Sequence, residues 1–261
     1  MSPHARPAVF ITGASSGLGA ALARHYASQG AVLGLVGRRG DVLAELARSL
    51  GSHHQCYTLD VRDRQALHDA ARAFLAYTGQ RIDIVIASAG ISAGTSTEHG
   101  EDFDVFKAII DTNVLATVST FEPFVAAMRA AGRGRLVGIG SVAGVRGLPG
   151  AGAYSASKAA VATYCESLRL ELNGEGIRVV TIAPGYVRTA MTAANPYGMP
   201  FLMDADVFAQ RAARAIERGV SYKVIPWQMG IVARLMKWLP DWLYDLAARN
   251  APRKPRSKSI R

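Results

Sequence analysis

Cysteine is scarce in this chain of 261 residues: Cys56 and Cys165 are the only two, and they lie far apart. That spacing excludes a paired-ligand metal motif and a dense disulfide framework, and both side chains read as free core thiols. The opening residues, MSPHARPAVFITG, lack the charged head, long apolar segment and small-residue cleavage site of a secretory leader, which points to a cytoplasmic protein. No internal repeat is present. Acidic residues are missing from the last thirteen positions, where Arg249, Arg253, Lys254, Arg256, Lys258 and Arg261 supply six charges of a net +10. A charge so localised belongs to a tail, and no interleaving of basic and aromatic side chains supports a nucleic-acid partner. Residues 251–261, APRKPRSKSIR, are proline-rich and nearly devoid of apolar side chains, so disorder is expected there. None of the six histidines, His4, His25, His53, His54, His68 and His99, has an evident catalytic partner.

What the chain does have is apolar residues, 49% of the total, enough for one large core. Short apolar runs, AVFIT, AVLGLV, QCYTLDV, IDIVIAS, RLVGIGS, RVVTIAP and YKVIP, read as buried strands. Between them come amphipathic stretches such as DVLAELARSL, DRQALHDAARAFLAYTG and DADVFAQRAARAIERG, each opened by an aspartate suited to an N-cap. The alternation predicts an α/β fold with a doubly wound, mostly parallel seven-stranded sheet and helices on both faces. From Glu101 to about Ala131, Phe103, Phe106, Ile109, Ile110, Val114 and Val118 recur at helical spacing and read as core packing.

Gly13, Gly17 and Gly19 follow the first strand and open the first helix. Glycines there permit a tight turn and close backbone approach to a diphosphate, which a helix N-terminus attracts through free amides and its positive dipole end. About twenty residues beyond the last of them, an acidic side chain would bond a ribose 2′-hydroxyl; Gly37 and Arg38 stand there instead. A guanidinium pairs well with a 2′-phosphate, so NADP is favoured over NAD, with Ser15 or Arg39 assisting. Asp41, just before VLAEL, reads as a helix cap rather than a ribose ligand.

Further on, YSASK puts Tyr154 and Lys158 on one helical face, after Ser141 in GIGSVAG. TGASSGLG with LDV, DTNVLAT, GIGSVAG, YSASK and PGYVRT, in this order from about Ala8 to Pro226, resembles the short-chain dehydrogenase/reductase family in its short single-domain branch, with a Rossmann-type fold. The resemblance implies a cofactor site at Gly13, Ser15, Ser16, Gly17, Leu18, Gly19, Arg38, Asp60 and Val61, with Asp60 on the adenine. It adds Ala89, Gly90, Tyr154, Lys158, Pro184, Gly185, Val187 and Thr189 on the nicotinamide side. Asn113, Ser141, Tyr154 and Lys158 fall at its catalytic positions. Lys158 would also grip the nicotinamide ribose, and Asn113 would help to hold a proton-relaying water. One departure is visible: ASAG, Ala87 to Gly90, puts Ser88 where the family usually has an asparagine that braces the sheet.

The chemistry expected of these groups is hydride transfer between NADP and a ketone or secondary alcohol. Tyr154 would give the carbonyl oxygen its proton, Lys158 would lower the phenol from its ordinary value near 10, and Ser141 would orient the carbonyl. GIGSVAG is not a nucleophile elbow, which disfavours hydrolysis. A non-catalytic NADP-binding regulator is the alternative reading, and the intact Tyr154, Lys158 and Ser141 argue against it.

Residues 1–226 are expected to form the catalytic domain, including a substrate lid at 190–206 rich in methionine, proline and aromatics. Tyr197, Met199, Phe201 or Met203 would line an apolar or lipid-like substrate site, although packing on a neighbouring subunit is also open. Residues 227–250 form an amphipathic helical extension, broken into two helices at Pro240. Arg234, Lys237, Asp241 and Asp245 share roughly 80° of arc there, opposite a broad apolar face of Trp227, Ile231, Leu235, Trp238, Leu239, Trp242 and Leu246. Intramolecular or oligomer packing, peripheral membrane contact and a partner site all suit that face. The resemblance implies a homodimer or homotetramer, with the helices near Asn113 and Tyr154 as interface candidates.

Overall fold

A computed structural model describes residues 6–193, 195 and 197–256. Strands β1 (Ala8–Thr12), β2 (Val32–Gly37), β3 (Gln55–Thr58), β4 (Ile84–Ala87), β5 (Gly134–Ile139) and β6 (Ile177–Pro184) alternate with helices, as the apolar runs predict. A two-residue pairing follows between β7 (Val187–Arg188) and β8 (Met203–Asp204), and β9 (Tyr222–Ile225) completes the main sheet. That sheet is parallel throughout, in the order β3-β2-β1-β4-β5-β6-β9. The order reverses direction between β1 and β4, and a crevice opens there beyond the carboxyl ends of the strands.

The helices are α1 (Gly17–Ser28), α2 (Gly40–Leu50), α3 (Arg64–Tyr77), α4 (Phe103–Ile110), α5 (Ala116–Phe121), α6 (Val125–Ala131) and α7 (Gly152–Glu171). Beyond β7 come α8 (Ala190–Ala193), α9 (Ala205–Glu217), α10 (Trp227–Trp238) and α11 (Asp241–Ala248). Alternate residues of each strand feed opposite layers. Val9, Ile11, Leu33, Leu35, Val180 and Ile182 pack on one side with Leu22 of α1, Leu43 of α2 and Phe208 of α9. Ala8, Phe10, Val85, Leu136 and Val179 pack on the other with Phe74 of α3, Phe124 and Val161 of α7. With both faces covered, every residue of β1 is buried, which is why its sequence is continuously apolar rather than alternating.

Several local expectations are corrected. Of the three aspartates expected to cap helices, Asp63 alone does so through its side chain, accepting from Ala66 N at 3.0 Å. Helix α2 begins one residue before Asp41, with Arg39 at the cap position. Asp204 precedes α9 without a capping bond and accepts instead from Arg188 Nε at 2.9 Å. Helix α4 buries Val105 and Ile109 and leaves Phe103 and Phe106 exposed, and a π-turn, Asp111–Leu115, separates it from α5. Cys165 is buried, but Cys56, on the edge strand β3, is exposed; both are free thiols.

The C-terminal extension breaks at Pro240 as expected, yet its apolar face does not pack on the body. Trp227, Ile231, Leu235, Trp238, Trp242 and Leu246 are exposed, and only Met229 and Ala233 of α10 are buried. Polar bonds add to the burial of Met229 and Ala233 in holding the extension. Arg146 donates to the carbonyls of Met236 and Leu239 at 3.0 and 2.9 Å, and the Tyr244 hydroxyl donates to Gly147 O at 2.7 Å. No helix among the described residues is long and apolar enough to cross a membrane. Residues 251–256, expected to be disordered, lie against the body instead: Gly94 N donates to Pro255 O at 3.1 Å, and Arg256 pairs with Glu101 and Asp102. Lys258 and Arg261 fall outside the described residues, as do His4, Ala194 and Pro196.

Candidate active site

The crevice at the β1–β4 reversal is a cavity of about 610 Å3. Its floor is the turn between β1 and α1. Gly13 has φ +69°, and a Cβ there would lie 2.7 Å from the Ala89 Cα, so the close approach of this turn to the β4 loop requires glycine. A Cβ on Gly19 would overlap the Gly13 carbonyl oxygen. Ser16 precedes α1 in extended conformation and makes no side-chain capping bond, which leaves the first amides of α1 without a side-chain acceptor at the edge of the cavity. A helix dipole, free amides and glycines that admit no side chain form a cradle suited to a diphosphate.

At the end of β2 the cavity is rimmed by Arg38, Arg39 and Arg62. Arg39 Nη2 donates to Ser15 O at 3.0 Å and to Ser15 Oγ at 3.3 Å, which fixes a guanidinium beside the turn. Arg62 grips both oxygens of Asp60, with contacts of 2.6 to 3.1 Å, and that hydrogen bonding is the main reason the Asp60 carboxyl is held below the usual carboxylate range. Arg38 adds to the same effect through its charge. Asp41 does not line the cavity; it sits in the first turn of α2 rather than at the cap where it was expected.

Tyr154 and Lys158, both on α7, stand at the other end of the cavity with Ser141 from the loop after β5. The Lys158 ammonium is 5.8 Å from the Tyr154 ring centroid and donates to Ile139 O at 2.8 Å. Burial pulls the Lys158 ammonium down to about 8. Tyr154 departs from expectation: burial pushes its phenol up, with Tyr197 adding to the rise and a hydrogen bond with the Ser141 hydroxyl opposing it. The cation 5.8 Å from the ring favours the phenolate. Desolvation outweighs it, so the phenol keeps its proton at neutral pH.

Asn113 is 1% exposed, in the π-turn between α4 and α5. Its side chain accepts from Ile91 N at 2.9 Å and donates to Ile91 O at 3.0 Å and Ser157 Oγ at 2.9 Å. Ser157 Oγ donates in turn to Tyr154 O at 2.8 Å. The amide therefore ties the β4 loop to α7, and its side-chain partners are protein groups. A Cβ added to Gly90 would lie 3.3 Å from Asn113 Oδ1 and 3.5 Å from Lys158 Nζ, so a side chain at this position would press on Asn113.

Every cofactor position expected from the sequence lines this one cavity: the glycine turn with Ser15, Ser16 and Leu18, then Arg38, Asp60, Val61, Ala89, Gly90, Pro184, Gly185, Val187 and Thr189. Arg62, Ile91 and Met191 also line it and were not foreseen. Of the expected lid residues, Tyr197 stacks edge-on against Tyr186 at 6.5 Å and acts electrostatically on Tyr154. Met203 is in the core, Phe201 is exposed, and Met199 receives a bond from Asn195 Nδ2 at 3.6 Å. The described histidines all lie away from the cavity lining.

The family model described as short chain dehydrogenase matches residues 7–198. An uncharacterized oxidoreductase of Myxococcus xanthus is 40% identical over 242 residues, covering 92% of this chain and 95% of that protein. Among solved structures, a short-chain dehydrogenase from Sphingobium yanoikuyae in complex with NADPH superposes with a TM-score of 0.76 at 28% identity, covering 90% of this chain and 96% of that one. A short chain dehydrogenase/reductase from Burkholderia phymatum in complex with NAD has a TM-score of 0.80 at 23% identity, covering 98% and 100%; at that identity it speaks to the fold.

Proposed function

The chain belongs to the short chain dehydrogenase family, and from that premise we propose that it is an NADP-dependent oxidoreductase acting on a ketone or secondary alcohol. One observation carries the reading: a phenol that keeps its proton, a serine hydroxyl and a buried ammonium converge at one end of a cavity whose other end is a glycine cradle rimmed by arginine. The bound dinucleotide supplies the hydride, or takes it up when the reaction runs backwards.

Its diphosphate would rest on Gly13 to Gly19 and the N-terminus of α1. Arg38 with Arg39 would meet a 2′-phosphate, Asp60 and Val61 would face the adenine side, and Thr189 would face the nicotinamide side. Ser141 orients the carbonyl by donating a hydrogen bond to its oxygen. As negative charge builds on that oxygen, the Tyr154 hydroxyl gives up its proton, and the Lys158 cation steadies the phenolate left behind. The alcohol forms with the hydride on carbon and the phenolic proton on oxygen. An ammonium near pH 8 is well matched to pass a proton back to that phenolate. Asn113 acts as a positioning residue, holding Ile91 and the start of α7 in register.

Charge would separate the two cofactors seen in the related structures. Two arginines at the end of β2, with no acid lining the cavity beside them on that turn, support NADP. Tyr197 and Met191 near the reacting end support a substrate with an apolar body. Exposed Phe103, Phe106 and Leu115 support a homo-oligomer formed around the α4–α5 segment, which light scattering would detect. The tryptophan-rich face of α10 and α11 would suit a second copy or a membrane surface, and vesicle sedimentation at low and high salt separates the two.

A screen of ketones following absorbance of NADPH and NADH tests the proposal. Ketone-dependent loss of NADPH absorbance, faster than with NADH, is expected. Tight NADPH binding with no turnover across aliphatic, aromatic and charged ketones would favour the regulatory alternative.

A further inference from the structure

Residues 251–256 form a strap that the catalytic scheme above does not use. Its end is held firmly: Arg256 Nε and Nη2 donate to the two Asp102 oxygens at 2.9 Å each, and Nη2 also donates to Glu101 Oε1 at 2.9 Å. Asp102 is buried and also accepts from Ser96 N at 2.8 Å, so the anchor joins the strap to the start of α4 and to the loop after β4. The backbone bond from Gly94 N to Pro255 O adds a second tether, and the Arg253 side chain lies against Gly150.

Between these tethers Lys254 turns toward the reacting end of the site. Its ammonium donates to Ser92 Oγ at 2.8 Å and lies 5.9 Å from the Tyr154 ring centroid, almost the same separation as Lys158. Among the described residues no carboxylate comes within 4.0 Å of it, whereas Arg256, two residues on, has two. The glycine turn that would hold the cofactor phosphates lies at the other end of the cavity from Tyr154, the residue Lys254 stands beside, so those phosphates do not account for its charge. Burial holds its pKa below the ordinary lysine value. A partly desolvated cation with one neutral partner is costly, and an anion placed against it relieves that cost.

We propose that Lys254 forms a subsite for a negatively charged group, a carboxylate, sulfonate or phosphate, carried by the substrate close to its reacting carbonyl, so that the strap selects anionic oxo compounds. The inference rests on the reading of Tyr154 as the proton donor, because that hydroxyl fixes where the carbonyl sits. Met191, which lines the cavity, and Tyr197, which acts on Tyr154, would face the rest of the substrate, which gives an aliphatic oxo acid as the substrate class.

The test compares NADPH-dependent reduction of aliphatic oxo-carboxylates, oxo-sulfonates and oxo-phosphates with reduction of the methyl esters of the same oxo-carboxylates, by the full chain and by Lys254→Met, Lys254→Arg and Arg256→Met. A charge-assisted bond lost from the complex corresponds to a fall in kcat/KM on the order of tenfold to a hundredfold. That fall is expected for the charged series in Lys254→Met, mostly through KM, with the esters nearly unchanged. Lys254→Arg should retain most of the preference, and Arg256→Met, which frees the strap, should lose part of it. The most responsive member among the three anion types identifies the group. Equal losses for acids and esters, or wild-type preference for the esters, would overturn the proposal. If no ketone of either kind is reduced, the failure belongs to the proposed reaction, and calorimetric binding of the oxo-carboxylates to the NADP complex decides the subsite: binding weakened in Lys254→Met supports it, and binding unchanged refutes it.

Discussion

Replacing Lys158 with methionine should make the protein more stable at neutral pH while abolishing its chemistry. The side chain is 6% exposed, its ammonium has one protein partner, Ile139 O at 2.8 Å, and burial lowers its pKa from 10.5 to about 8. That depression corresponds to a folding penalty on the order of 3 kcal/mol. The sign follows from proton binding. Below about pH 8 both folded and unfolded chains hold the proton and the penalty is full. Between about 8 and 10.5 the unfolded chain holds more protons than the folded one, so stability from this group rises with pH and the penalty fades. Methionine keeps the length and removes the charge, losing one hydrogen bond at a cost of about 1 kcal/mol. Urea unfolding of both proteins should therefore show the variant ahead by about 2 kcal/mol near neutral pH and roughly level near pH 10. The tyrosines that titrate in that range are common to both chains and cancel in the difference. A variant less stable than the parent at neutral pH, or a difference that does not change with pH, would refute the reasoning. The wider point is that a buried cation beside a phenol weakens the fold in exchange for activity.

Two further outcomes concern the cofactor. Arg38→Ser should raise the KM for NADPH by roughly tenfold or more and change that for NADH much less, since only NADPH carries the 2′-phosphate with which the guanidinium would form a charge-assisted bond; steady-state rates with both cofactors check this. Gly13→Ala puts a Cβ 2.7 Å from the Ala89 Cα on a backbone with φ +69°, so it should cost on the order of 2–3 kcal/mol in urea unfolding and weaken dinucleotide binding measured by fluorescence.

The parts of the molecule legible in the sequence are those governed by local chemistry. Strands buried on both faces announce themselves as apolar runs, and the glycines at 13 and 19 are dictated by contacts within one turn and its neighbouring loop. Most of the expected cofactor positions meet in one cavity because they lie at or just beyond the carboxyl ends of strands of a parallel sheet, while Tyr154 and Lys158 reach it from α7. What was not legible depends on long-range pairing or on burial. The tail looks solvated by composition, yet Arg256 finds Asp102, 154 positions away in the sequence, and no pattern near either residue signals the other. Phe103 and Phe106 share helical spacing with Ile109, yet α4 turns Val105 and Ile109 to the core and those two outward, a choice of face that periodicity does not make. The phenol of Tyr154 was expected to fall because spacing reveals the neighbouring cation but not the desolvation that outweighs it.

The central claim, that the Tyr154 hydroxyl delivers the proton while the dinucleotide delivers the hydride, is tested most directly by Tyr154→Phe. Turnover of any ketone the parent reduces should fall on the order of a hundredfold to ten-thousandfold, while the Kd for NADPH stays within about twofold. Turnover within a few-fold of the parent at unchanged NADPH affinity would contradict the account.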